Sequence, residues 1–167
     1  MMAKTLDSTQ DELTTLAELG MKKALSAGAE EAETFVSWMD TISINIKKNI
    51  IEARRGSPAG VGVRVVWNGK VGFAAQSGTD KAGIERVVEE ALAVAKIRPP
   101  DPDFEQLPDP ISRPSKDGII HDAILEFSEK DALEAVNNLA QTAFAQDKRI
   151  RSLFGAVEVH KGVQAVA

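Results

Sequence analysis

The stretch VGVRVVWNGKVGFAAQS, Val61 to Ser77, decides the fold. Val61, Val63, Val65 and Trp67 recur at every second position, and Val71, Phe73 and Ala75 do the same after Asn68-Gly69. A period of two is that of a strand with unlike faces. Asn-Gly supplies both positive-φ positions of a type I′ turn, so the two runs are expected to close into a hairpin. Upstream the period holds. Thr34, Val36 and Trp38 alternate with Glu33, Phe35 and Ser37, and Ile42, Ile44 and Ile46 with Ser43, Asn45 and Lys47. Met39-Asp40-Thr41 reads as a tight turn between those runs, and the adjacent Ile50 and Ile51 suggest a bulge near Asn49. An antiparallel meander of about four strands results.

Helical spacing flanks the strands. Leu13, Leu16, Ala17, Gly20 and Ala24 mark one stripe of a helix over Ser8–Ala27, with Ser8 and Asp11 as a capping pair and Gly28 as the left-handed stop. Ile84, Val87, Val88, Ala91, Leu92 and Ala95 form the apolar face of a second helix over Thr79–Ile97, capped by Thr79 or Asp80 and ended by Pro99-Pro100. Six of the seven prolines fall between Pro99 and Pro114, a stiff connector able to cross a face of the domain. Ser128 with Asp131 opens a third helix, whose stripe is Leu133, Val136, Leu139, Ala140, Ala143 and Phe144. Arg151–Val159 and Gly162–Ala167 read as two strands about a turn at His160–Gly162. Helix-then-strand-pair over 128–167 echoes 8–47 in pattern. The expected architecture is α+β: an antiparallel sheet of meander or hairpins with about three helices on one face. Residues 1–98 form a helix, four strands and a helix, 99–127 the connector, and 128–167 a helix with two strands, packed as one domain. The chain stops inside an apolar strand at Ala167, so a longer parent polypeptide is expected.

Composition narrows the function classes. The 167 residues carry 20 Lys+Arg against 25 Asp+Glu, a net charge of −5, and no cysteine. A chain of this size buries roughly 70% of its unfolded surface, so it needs no disulfide or metal to fold. Without cysteine there is no disulfide scaffold, thiolate zinc site, iron–sulfur cluster or cysteine nucleophile. The negative charge argues against direct nucleic-acid binding. No apolar run approaches the about 20 residues of a membrane span, and the polar start lacks a signal-peptide core, so a cytoplasmic location is expected.

Reactive constellations are sparse. His121 and His160 lack a second histidine at metal-ligand spacing and read as surface residues. Glu30, Glu31 and Glu33, like Glu89 and Glu90, sit on wet faces. Gly60-Val61-Gly62 has no following helix to complete a phosphate cradle. Lys47, Lys48, Arg54 and Arg55 form the one basic cluster. They could dock an acidic partner, although solvated charges on a strand edge also deter aggregation. Trp38, Trp67 and Phe73 are expected in the core by alternation, or else in a cleft. No convergent set supports a stand-alone small-molecule enzyme.

The motifs in order resemble a known family. Gly28-Ala29-Glu30-Glu31-Ala32-Glu33 leads into a strand, then come Gly60-Val61-Gly62-Val63-Arg64-Val65, Gly72-Phe73-Ala74, Ser77-Gly78-Thr79-Asp80, Ala91-Leu92-Ala93-Val94-Ala95-Lys96, Pro100-Asp101-Pro102 and Leu107-Pro108-Asp109-Pro110. The series is similar to the N-terminal domain of the TldD/PmbA family, also called modulators of DNA gyrase. The Asp-Pro steps resemble the PmbA (TldE) branch more than the TldD branch. The resemblance implies a cytosolic peptidase system acting on small or unfolded peptides. Its TldD-type subunit carries a zinc site of HExxxH form, and its PmbA-type subunit pairs with it in a homo- or heterodimeric particle. This chain has no HExxxH, so the resemblance transfers no catalytic, metal or cofactor residue. Zinc would reside in a longer form of the protein or in the partner subunit. The rival reading, from the residues alone, is an autonomous module that binds peptides or proteins at a sheet edge without catalysis.

Overall fold

The computed structural model describes residues 6–48, 50–108 and 118–167. Its elements are α1 (Leu6–Ser26), β1 (Glu31–Lys47), β2 (Ile50–Gly56), β3 (Ala59–Trp67), β4 (Lys70–Ser77), α2 (Lys81–Ile97), α3 (Asp122–Leu125), α4 (Glu129–Gln146) and β5 (Phe154–Val166). The strands form a five-stranded antiparallel sheet in the order β2-β1-β3-β4, with β5 also paired to β1. The fold class is therefore the α+β expected. Within it β3 pairs with β1, not with β2.

Two compact units divide the chain. Among the described residues the first comprises 6–38, 58–108 and 162–167, and the second 39–48, 50–57 and 118–161.

In the first unit local signals set the ends of every element. Asn68 at φ 50° and Gly69 at φ 66° close the β3–β4 hairpin, with Trp67 opposite Lys70. Gly28 at φ 100° ends α1. Its N–H donates to Leu25 and that of Ala29 to Ala24, the paired bonds of a Schellman motif. Asp80 caps α2 by accepting from the Gly83 N–H at 2.8 Å. The start of α1 differs from expectation. Leu6 and Asp7 are already helical, so Ser8 lies inside the helix and does not cap it.

Both long helices cover the face carrying Thr34 and Val36 of β1 and Val61, Val63 and Val65 of β3. Three glycines make this approach close. A Cβ on Gly20 would stand 2.7 Å from the Thr34 hydroxyl, one on Gly83 would strike the Gln76 amide, and one on Gly72 would strike backbone of Ala91 and Ala95. Helix α2 thus lies almost against the β4 backbone, where only small side chains fit. That explains why the alternation of Val71, Phe73 and Ala75 faces the other way. Register sets Gly72 beside Val65 and Ala74 beside Val63 on the helix side. Phe73 is 56% exposed on the opposite face, where its ring covers Gly62. Its expected core position is corrected accordingly. Trp38 and Trp67 are partly buried against the core. The Lys70 and Lys96 ammonium groups lie 5.6 and 5.9 Å from the Trp67 ring centre. On the open face the connector contributes Leu107, buried, with its N–H on Glu31 Oε2 at 2.7 Å. Residues 109–117 of the connector, including Pro110 and Pro114, lie outside the described residues.

The second unit has a thinner core of Ile42, Ile44, Ile46, Ala132, Val136 and Val159. Helix α4 opens with a full capping box: Ser128 Oγ accepts from the Asp131 N–H, and Asp131 accepts from the Ser128 N–H at 2.8 Å. Its buried residues are Ala132 and Val136, whereas Leu133 and Leu139 are each 40% exposed, so the stripe is turned from the one expected. Two expected turns are absent. β1 continues through Met39-Asp40-Thr41, and β5 through His160–Gly162. The echo of helix and strand pair is a helix followed by one long strand, α1–β1 and α4–β5. Chain reversal comes instead after Lys47, which faces Ile50, with Lys48 at φ 50°. The register is unbroken from Ile50 to Gly56, and Asn49, where a bulge was expected, lies outside the described residues.

Candidate functional site

The four cations singled out in the sequence all belong to the second unit, and strand geometry separates them. Alternation along β1 buries Ile42, Ile44 and Ile46 on one face and leaves Ser43, Asn45 and Lys47 on the other. Register then assigns β2: Arg55 opposite Ile42 on the helix face, Arg54 opposite Ser43 on the outer face. Lys47 is outer as well, and Lys48 sits at the turn.

Arg55 is held in place by acids. Its guanidinium makes a fork with Asp40, at 3.2 and 3.0 Å, and reaches Glu129 on α4 at 3.0 Å. Hydrogen bonding to Asp40 first, then to Glu129, holds its pKa above the ordinary arginine value. It lines a cleft of about 430 Å³ with Phe127, Ser128 and Lys161. Lys161 Nζ donates to the carbonyls of Leu125 and Phe127 at 2.7 and 2.9 Å, satisfying acceptors freed at the end of α3. Arg55 and Lys161 are therefore structural ties, one from β2 to α4 and one from β5 to the α3–α4 link.

The other three cations line a separate groove of about 900 Å³ on the outer face. Lys47, Lys48 and Arg54 meet there with Ile50, Glu52 and Phe154. Arg54 pairs with Glu52 at 3.1 Å. Phe154 comes from β5, about a hundred positions away in sequence, and sequence reasoning missed it. Only the isolated aromatic at the head of an alternating run could have flagged it.

The remaining candidates are occupied by local structure. His121 accepts the Ala123 N–H at 3.3 Å as the N-cap of α3. His160 Nδ1 lies 3.2 Å from Thr41 Oγ1, with Glu158 3.7 Å from its other nitrogen. Glu33 pairs with Arg64 at 2.7 Å, Glu31 holds Leu107, and Glu30 approaches the Gly69 N–H at 3.5 Å. Glu89 and Glu90 are exposed on α2. Among the described residues no three His, Asp or Glu side chains converge as a metal centre. No helix among the described residues is long and apolar enough to cross a membrane. The surfaces present can bind and brace.

Comparison with known proteins agrees with the fold. Residues 32–95 match the family described as PmbA/TldA metallopeptidase domain 1. TldE from Thermococcus kodakarensis superposes with a TM-score of 0.66 at 20% identity, over 91% of this chain and 37% of its own. A protein from Bacteroides thetaiotaomicron described as a modulator of DNA gyrase superposes with a TM-score of 0.71 at 18% identity, over 91% of this chain and 34% of its own. The chain thus spans about a third of the length of either solved protein. No curated protein matches the sequence significantly.

Proposed function

From the place of residues 32–95 in the PmbA/TldD family as its first domain, we propose that the chain is the N-terminal scaffold of a peptidase system of that type. In this reading it walls the chamber in which small or unfolded peptides are held, in the cytoplasm. It stands on the PmbA side of the pair, beside a zinc-bearing TldD-type subunit that supplies the hydrolytic centre. The observation that carries the reading is the coincidence of the family match with a likeness to TldE running over 91% of the chain. The residue chemistry agrees with it. His121 caps α3, His160 meets Thr41 across β5 and β1, and Lys161 ties β5 to the end of α3. Fold likeness supplies a framework, and the chemistry belongs to sites grafted on it.

Association is the direct test. Co-expressed with a TldD-type subunit, the chain or its longer parent is expected to elute as one complex, and native mass spectrometry gives its stoichiometry. Separate elution at micromolar concentration would remove the partner role.

A further inference from the structure

The outer face of the second unit near the Lys48 turn has a composition the scaffold role does not require. Lys47 and Ile50 face each other across β1 and β2. Side-chain bonds from Thr41 to His160 and from Ser43 to Glu158 show which face of β5 is outer, and alternation puts Phe154 on it. Ile50 is 70% and Phe154 62% exposed. Lys47 and Lys48 make no ion pair among the described residues, whereas Glu52, the acid of the groove, is paired with Arg54. Two large apolar side chains therefore flank a positive rim, on a chain whose net charge is −5.

We propose that this groove docks an extended acidic segment of another polypeptide. Its apolar side chains lie on Ile50 and Phe154, and its carboxylates meet Lys47 and Lys48. Charge complementarity selects this occupant. A second copy docking through the same face would bring two positive rims together. A lipid surface or nucleic acid demands many more cations, and the overall negative charge opposes approach to either. The inference goes beyond the scaffold reading and stands without it, since it needs neither a zinc subunit nor hydrolysis.

The test is titration of the full chain with a labelled peptide alternating Glu and Leu, followed by fluorescence anisotropy at low and high salt. A peptide alternating Lys and Leu is the control. The expected result is saturable binding of the acidic peptide, weaker at high salt, with the basic peptide inert. Combined Lys47→Glu and Lys48→Glu should weaken the acidic peptide at least about tenfold and let the basic peptide bind. Phe154→Ser should weaken binding at both salt levels. Circular dichroism checks that each variant folds, and the lysine pair, exposed at a turn, keeps the test open if Phe154→Ser does not. Absent saturation, equal binding of both peptides, or affinity unmoved by the charge reversal would overturn the proposal. So would preferential binding to phosphatidylserine vesicles, or a self-association that the reversal abolishes.

Discussion

The two units of this chain reach stability by different means. In the first, sixteen buried apolar residues form a core, and glycines at the contact points let α1 and α2 approach the sheet at backbone distance. In the second, the core is six buried residues, two of them on α4, and that helix opens with a capping box and receives an ion pair from Arg55. Exposed pairs of that kind contribute little individually. The difference teaches where shape is fixed and where surface is free. A glycine-tight interface admits few substitutions, whereas large apolar side chains stand exposed away from it in both units, Ile97 and Phe73 in the first and Ile50 and Phe154 in the second. Residues of the first unit make up most of the stretch that matches the family.

Substitutions can break or sharpen this contrast. Gly72→Ala is the severest expected change, since its Cβ would strike backbone atoms of Ala91 and Ala95 that cannot move without displacing α2. Loss of the folded first unit is expected in denaturant titration, and near-normal stability would show that α2 has room to give. Ile44→Ala removes a fully buried side chain from the smaller core and should cost about 2–5 kcal/mol. Hydrogen exchange should show that loss confined to residues 39–57 and 118–161, which are also expected to exchange faster than the first unit in the parent chain. Equal acceleration throughout would mean that the units unfold together.

Smaller effects follow from single polar groups. Ser128→Ala removes the α4 cap, at a cost of about 1 kcal/mol. It also changes the response to acid. Hydrogen bonding from Ser128 holds the Asp131 carboxyl below its ordinary value of 3.8. A depressed carboxyl stabilises the fold above the unfolded pKa and loses that contribution as pH falls through the folded one. Protection at the start of α4 should therefore decline below about pH 3.8 in the parent chain and be flatter in the variant. Thr34→Val acts in the opposite sense. The Thr34 hydroxyl is buried against Gly20 and has no hydrogen-bond partner among the described residues, so the isosteric change should stabilise by about 1 kcal/mol. A thermal melt that moves downward would reveal a partner for that hydroxyl.

What the sequence disclosed was local. The Asn68-Gly69 turn, the Gly28 stop, the Asp80 cap and the Ser128–Asp131 box each depend on neighbours a few positions apart, and all are present. Pairing over distance was not legible. Met39-Asp40-Thr41 and His160–Gly162 have turn-forming composition, yet ladder partners on β1 and β5 hold both segments extended, as strand context overrides propensity. Phe73 was misplaced because alternation reveals two faces without saying which one a helix will cover. The candidate site followed the same rule. Its lysines and arginines stood out as residue types, but adjacent Arg54 and Arg55 necessarily face opposite ways in a strand. The groove became complete only when β5 brought Phe154 beside Lys47.

Peptide hydrolysis with and without a partner subunit tests the central claim most directly. An unfolded peptide would be offered to the purified chain, to a TldD-type subunit, and to the two together, each with and without a zinc chelator. The account predicts no turnover by the chain alone, and chelator-sensitive turnover by the TldD-type subunit that rises when the chain or its parent is added. Chelator-sensitive hydrolysis by the chain alone would contradict it.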